Sequence, residues 1–244
     1  MTEEVSKTQI NRLGDRLRKG NITESDLRLL DDYRLSFTTA HEIVIRTIQE
    51  KLRLEPTGRP AKSRTSISEK LHRESSRLTQ IQDIAGCRLV VSGIIEQDRV
   101  IESLVELFEG AKTKDRRDVP SYGYRAVHVI ANYGGKLVEI QVRTSLQHLW
   151  AELSEKLSDV IDPTIKYGGG EGVPRDFLDA TSSQIAQQEW GEKKIGRMQA
   201  WLASKPNKKL PRAEAELAEL QVGMRSFGQE LSKKLRDAIE IFSK

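Results

Sequence analysis

Two carboxylates and a run of cations are the residues of this sequence best suited to chemistry. Asp83 stands just ahead of a strand predicted at 87–91. Glu139 lies within 137–144, where apolar Val138, Ile140 and Val142 alternate with Glu139, Gln141 and Arg143. Strand periodicity then makes one face core and gives the other an acid, an amide and a guanidinium in a row. A lone aspartate before a strand is usually a cap or turn residue, and such a row can be plain solvent exposure. Two carboxylates from separate strands, however, suit Mg²⁺ when phosphate oxygens and water fill its remaining positions.

The cations come in two groups. Residues 59–73 hold five Lys/Arg against one Glu, and residues 112–125 hold five against two Asp. Ser66, Lys70 and Arg73 are spaced four and three apart, so they share one face of a helix, with Arg59 and Lys62 in the loop before it. Free N–H groups and the positive dipole end at a helix start, joined by cations, make a polyphosphate site. The plainer alternative is a solvated basic helix end. In the second group, Tyr122-Gly123-Tyr124-Arg125-Ala126-Val127-His128 sets a glycine between aromatics in a basic loop. Such a loop suits a flat base stacked on tyrosine with cations near its phosphates. Against this, a tyrosine often just packs at a strand end, and a single histidine such as His128 is more often a core residue than a catalyst.

The elements that must position these groups can be read from periodicity. Ile10, Leu13 and Leu17 mark an N-terminal helix stopped by Gly20. A long helix follows, capped by Thr23 or Ser25, its apolar face running through Leu30, Tyr33, Phe37, Ala40, Val44 and Ile48 until Pro56, Gly58 and Pro60 end it. Ser66-x-x-Glu69 is a capping-box pattern opening a helix over 67–76. A helix over 97–108, a loop over 115–123, a hairpin of 125–132 and 137–144 through Gly134-Gly135, and a helix over 145–160 come next. The segment 166–174, KYGGGEGVP, reads as a linker. Beyond it, helices over 175–203 and 212–243 are separated by Lys205-Pro206-Asn207 and Pro211. The last carries a seam of Leu217, Leu220, Met224, Phe227, Leu231, Leu235 and Ile239. The expected class is α+β: an N-terminal helix (1–21), a catalytic domain (22–165), a linker (166–174) and a C-terminal helical region (175–244).

Bulk properties narrow the setting. The 244 residues are 37% hydrophobic, enough for a packed core, with no stretch long enough for a membrane span. The N-terminus lacks the basic and apolar regions of a secretory signal. Cys87, the one cysteine, cannot form an internal disulfide, which fits a reducing cytoplasm. The net charge of +4 matters less than its clustering, since 212–244 balances six cations against six anions.

Four stretches in order, RPAKSRTSISEKLHR, IQDIAGCRLVV, PSYGYRAVH and VEIQVRTSLQHLWAE, resemble the RelA/SpoT synthetase domain over about residues 22–165. The resemblance implies a mixed β-sheet flanked by helices, a nucleotidyltransferase-like fold, with C-terminal helices. It implies ATP as donor, with Arg59 and Arg88 sandwiching adenine and Lys62, Ser66, Lys70 and Arg73 holding the triphosphate. By the same likeness Asp83 and Glu139 bind Mg²⁺, Glu139 acts as base on a ribose 3′-hydroxyl, Tyr124 stacks on the acceptor base, and His128 and Gln141 line the acceptor side.

Two departures from the family pattern bear on function. Bifunctional relatives carry a histidine/aspartate hydrolase domain. This chain has four histidines, no His-Asp pair and little length before Arg59, so synthesis without hydrolysis is expected. The family's Pro-Lys-x-Asn-Gly-Tyr loop is here Pro120-Ser121-Tyr122-Gly123-Tyr124, one residue shorter, with Arg116 and Arg117 upstream as substitute cations. The first expectation is therefore (p)ppGpp synthesis from GDP or GTP. The alternatives are a toxin that pyrophosphorylates the 3′-terminal adenosine of tRNA, and an inactive nucleic-acid-binding module. The intact carboxylates weigh against the last. The C-terminal seam leaves room for a homo-oligomer or for folding back, and a toxin would have an antitoxin partner.

Overall fold

The computed structural model describes residues 5–206 and 209–243; the first four residues, Asn207 of the expected break at 205–207, and Lys244 lie outside them. The chain forms α1 (Lys7–Lys19), α2 (Glu24–Leu35), α3 (Thr38–Leu52), β1 (Thr57–Arg59), α4 (Arg64–Arg73), β2 (Ala85–Val91) and α5 (Ile94–Leu107). It continues with β3 (Lys112–Asp115), β4 (Val127–Tyr133), β5 (Lys136–Thr144), α6 (Ser145–Val160), α7 (Val173–Ala203) and α8 (Pro211–Ile241). The strands make one mixed sheet in the order β1-β2-β5-β4-β3. The residues group into two compact units: those up to Leu89 with Ser103–Thr113 and His128–Gln141, and Val90–Glu102 with Lys114–Val127 and everything from Val142 on.

In the first unit, α1 starts at a Ser6 capping box and stops at left-handed Gly20, and it buries Ile10, Leu13 and Leu17. Gly14 permits this packing, because a Cβ there would strike the Leu78 side chain. The expected long helix is two helices. At Ser36-Phe37 the turn tightens: the Phe37 N–H donates to the Arg34 carbonyl, three residues back, and the Ser36 hydroxyl to the Tyr33 carbonyl. Phe37 is thereby buried, with Tyr33 edge-on against its ring at 5.3 Å. The periodicity of apolar residues survives such a break, so it could not reveal one. α4 also begins earlier than the capping-box pattern implies. Ser63, not Ser66, is its cap, and the Ser66 N–H donates to the Ser63 hydroxyl.

Arg59 lies not in a loop but in the three-residue strand β1, paired antiparallel to β2 with Arg59 opposite Gly86 and Thr57 opposite Arg88. The expected hairpin is present. β4 and β5 are joined by Gly134-Gly135, both at positive φ (56° and 78°), the geometry a two-residue turn demands.

In the second unit, Thr144 caps α6 in a capping box with Gln147. Part of the loop expected over 115–123 is instead strand β3. The expected linker is short: a 3₁₀ turn covers Ile165–Tyr167, and α7 starts at Val173. The α8 seam folds back within its own unit. Leu231 and Leu235 are buried in one cluster with Trp150, Leu153 and Leu157 of α6 and Leu178 and Ile185 of α7.

Candidate active site

β2 and β5 approach closely at Gly86, where a Cβ would press on the Glu139 carbonyl at 2.9 Å and lie 3.7 Å from the Glu139 Cβ. Residues directly opposite in a ladder point to the same face. The register therefore sets Arg59, Arg88 and Glu139 on one face, while Cys87 turns into the core on the other. Burial and the nearby Glu139 push the Cys87 thiol up to about 12, so it is inert.

Asp83 sits at the entrance to β2. The Lys62 N–H donates to the Ile84 carbonyl at 2.6 Å, which ties the segment before α4 to this strand. Lys62 Nζ then reaches Asp83 Oδ2 at 2.6 Å, and Lys70 Nζ reaches Oδ1 at 2.9 Å. Burial alone would raise the Asp83 carboxyl, but the two ammonium groups outweigh it and hold it at about 2. The basic segment is itself braced. Arg34 donates to the Lys62 carbonyl at 2.6 Å, Arg34 and Arg64 both pair with Asp31, and Arg18 of α1 donates to the Leu71 and Ser76 carbonyls at 2.9 and 2.6 Å.

Glu139 is nearly buried. His128 Nδ1 lies 2.9 Å from its Oε1, and Gln141 Nε2 donates to its Oε2 at 2.9 Å. Burial and the charge of Asp83 raise its proton affinity, but the His128 and Gln141 contacts outweigh them and leave it below the ordinary value. Glu139 feels the charge of Asp83, and both offer hard oxygen. Among the described residues no three His, Cys, Asp or Glu side chains gather into a metal site. A magnesium ion held by Asp83 and Glu139 would thus need phosphate oxygens to complete its shell, a pattern this donor pair fits.

In the second unit, Ser121 and Tyr124 bridge a tight turn with Tyr122 at φ 55° and Gly123 at φ 87°. Arg143, the last member of the polar row on β5, donates from Nη2 to the Tyr124 hydroxyl at 3.0 Å and places its guanidinium 5.0 Å from the ring centre. Arg116 donates to the Ser121 hydroxyl. Arg117 is enclosed by Asp115 and Asp98, which raise its proton affinity against the effect of burial, so its charge is already matched.

Residues 58–158 match the family described as the region found in RelA / SpoT proteins. Over this stretch the chain is similar to RelA/SpoT proteins. An uncharacterised protein of Mycobacterium tuberculosis is 40% identical over 111 residues, covering 44% of this chain and 41% of its own length. The GTP pyrophosphokinase of Bacillus subtilis is 32% identical over 117 residues, covering 42% and 54%. The chain spans about half, or less, of the length of these relatives. The small alarmone synthetase 1 of Bacillus subtilis has the same fold. One crystal structure is 26% identical with a TM-score of 0.50, covering 73% of this chain and 100% of that one. Another, bound to its product pppGpp, is 21% identical with a TM-score of 0.51, covering 71% and 99%.

The residues expected on the donor side and at the metal lie in the first compact unit, along with His128 and Gln141. Tyr124, Arg116 and Arg117 lie in the second. Sequence reasoning left Arg143 without a role, although strand alternation had placed it in the polar row. It also gave no role to Glu189 of α7, because nothing in a helical pattern marks a buried acid; Glu189 is 6% exposed and pairs with Arg125.

Proposed function

We propose that the chain is an ATP-dependent pyrophosphokinase that transfers the β,γ-pyrophosphate of ATP to the 3′-hydroxyl of GDP or GTP, forming (p)ppGpp. The observation that carries this reading is Asp83, clasped by Lys62 and Lys70 and close enough for its charge to reach Glu139, within the stretch that matches RelA/SpoT proteins. Lys62 and Lys70 now neutralise a carboxylate. An incoming triphosphate offers them more negative charge, which frees Asp83 to turn to a metal. Arg59 and Arg88, on the same sheet face as Glu139, flank the adenine. Lys62, Ser66, Lys70 and Arg73 take the phosphates.

The transfer forms a bond from the acceptor 3′-oxygen to the β-phosphorus and breaks the bond from that phosphorus to the oxygen bridging it to the α-phosphate. AMP leaves with the bridging oxygen, and Glu139 takes the 3′-hydroxyl proton. His128 and Gln141 hold the Glu139 oxygens, which fixes the lone pair that receives the proton. Magnesium, held by Asp83 and Glu139, would supply charge neutralisation on the phosphates. Tyr124 stacks on the acceptor base.

The tRNA-modifying reading would lean on Arg116 and Arg117 as a phosphate track. Arg117 is already enclosed by Asp98 and Asp115, which favours a single nucleotide as acceptor. The deciding experiment offers γ-³²P-ATP with GDP, GTP, ATP and bulk tRNA side by side. Label on GDP or GTP is expected. Label on tRNA alone would replace this acceptor with the other, and label on none would remove the activity.

A further inference from the structure

The turn at Ser121–Arg125 carries the acceptor tyrosine, yet its conformation is costly. Tyr122 occupies the left-handed region, which a bulky residue adopts only when its surroundings impose it. Those surroundings come mainly from beyond residue 158, outside the RelA/SpoT match. Four contacts within the second unit impose the turn. Ser182 of α7 donates its hydroxyl to the Gly123 carbonyl at 2.7 Å. Glu189 of α7 accepts from Arg125 Nη2 at 2.5 Å and from Gln147 Nε2 at 2.7 Å, both partners being buried. The Trp150 ring lies so close to Gly123 that a Cβ there would strike it, and Trp150 is fixed in turn by donating to the Leu178 carbonyl of α7 at 2.8 Å. Last, the Tyr122 ring covers Gly168, where any side chain would collide with it.

We propose that Ser182 and Glu189 of α7 are positioning residues for the acceptor turn, so that acceptor affinity is set from outside the RelA/SpoT region. Neither residue touches a reacting atom. Glu189 reads the position of Arg125, next to Tyr124, through a buried charge pair, and Ser182 reads the backbone two residues earlier. Gln147, which joins Glu189 to the cap of α6, receives the Gln97 amide at 2.8 Å, so the anchoring point is itself held. A buried ion pair of this kind is intolerant of losing one partner. The glycine-rich segment read as a linker thus has a second use as the seat of Tyr122. The inference rests on the pyrophosphokinase reading for its kinetic consequence, not for its structural one.

The test uses the full chain with Glu189→Gln and Ser182→Ala, and two readouts. In transfer assays, the acceptor KM should rise at least about tenfold in Glu189→Gln while the ATP KM stays within about twofold. By hydrogen exchange, backbone amides of 121–126 should lose protection while those of 64–73 keep theirs. Equal changes in both KM values, or unchanged protection of the turn in a folded variant, would overturn the proposal. Should Glu189→Gln fail to fold, Ser182→Ala, which deletes one hydroxyl, decides the question by the same two criteria. A wild type that transfers to no acceptor would sink the activity reading and leave the exchange measurement to judge the clamp alone.

Discussion

Replacing Asp83 with Asn keeps the side chain's shape and removes the counter-charge of Lys62 and Lys70. The fold holds this carboxyl at about 2 against an ordinary 3.8. Nearly two pH units of preference for the ionised form correspond to about 2 kcal/mol. The Asp83 side chain is 20% exposed, so solvent weakens this coupling without erasing it. For a chain of this size the melting temperature of the variant should fall by about 4–8 °C. Because the folded pKa is depressed, the stabilisation is complete above about pH 4 and is lost as pH falls through about 2; the gap between the two proteins should close over that window. ATP without metal supplies phosphate charge to the stranded lysines, so it should raise the variant's melting temperature by more than the wild type's. The assay is a thermal melt of both proteins across pH, with and without ATP. Equal melting temperatures at pH 7, or a gap that ATP leaves unchanged, would refute the claim that Lys62 and Lys70 exchange a carboxylate for phosphates.

Glu139→Gln should cost at least about a hundredfold in turnover, the size of a general base and a metal ligand together, with ATP binding weakened less; near wild-type rates would remove Glu139 from the chemistry. Lysine at Arg59 or Arg88 should fail to restore ATP affinity, because an ammonium cannot stack as a plane; titration of ATP against each variant reads this directly. Neutralising Arg116 and Arg117 together should leave the salt dependence of GDP labelling nearly unchanged, and a flattened slope with tRNA as acceptor would instead mark a phosphate track.

Much of this architecture is legible in the sequence because local rules agree with the fold. Gly20 ends a helix, Gly134-Gly135 turns a hairpin, and the alternation around Glu139 reports the two faces of β5. The misses share a physical cause. The break at Ser36-Phe37 conserves the apolar stripe, so hydrophobic spacing is blind to it. The cap at Ser63 competes with an equally good pattern at Ser66 three residues on, and only the path of the preceding chain, tied at Lys62 to Ile84, decides between them. The pairing of β1 with β2 is non-local and three residues long, too short to leave a periodicity. Glu189 and Arg125 are 64 positions apart, and charge on a helix reads as solvated surface until its partner is known. The carboxylates and cations proposed for the donor side stand out in the sequence because their types are unusual together, whereas the turn's supports are ordinary residues made important by distance.

The two outer strands of the sheet have a consequence for how copies of this protein can meet. β1 has three residues and β3 four, all exposed; β3 reads Lys-Thr-Lys-Asp, and β1 ends in Arg59. An unpaired strand invites another chain to extend the sheet when it is long, flat and apolar. Here each rim offers only a turn's length of backbone, and a growing stack would bring like charges face to face. The central strands β2, β5 and β4, with their runs of valine, isoleucine and leucine, would be prone to amyloid-like stacking if bared. Short charged rims keep that risk confined to the unfolded chain, and they leave the helices, not the sheet, as the surfaces through which two folded copies can associate.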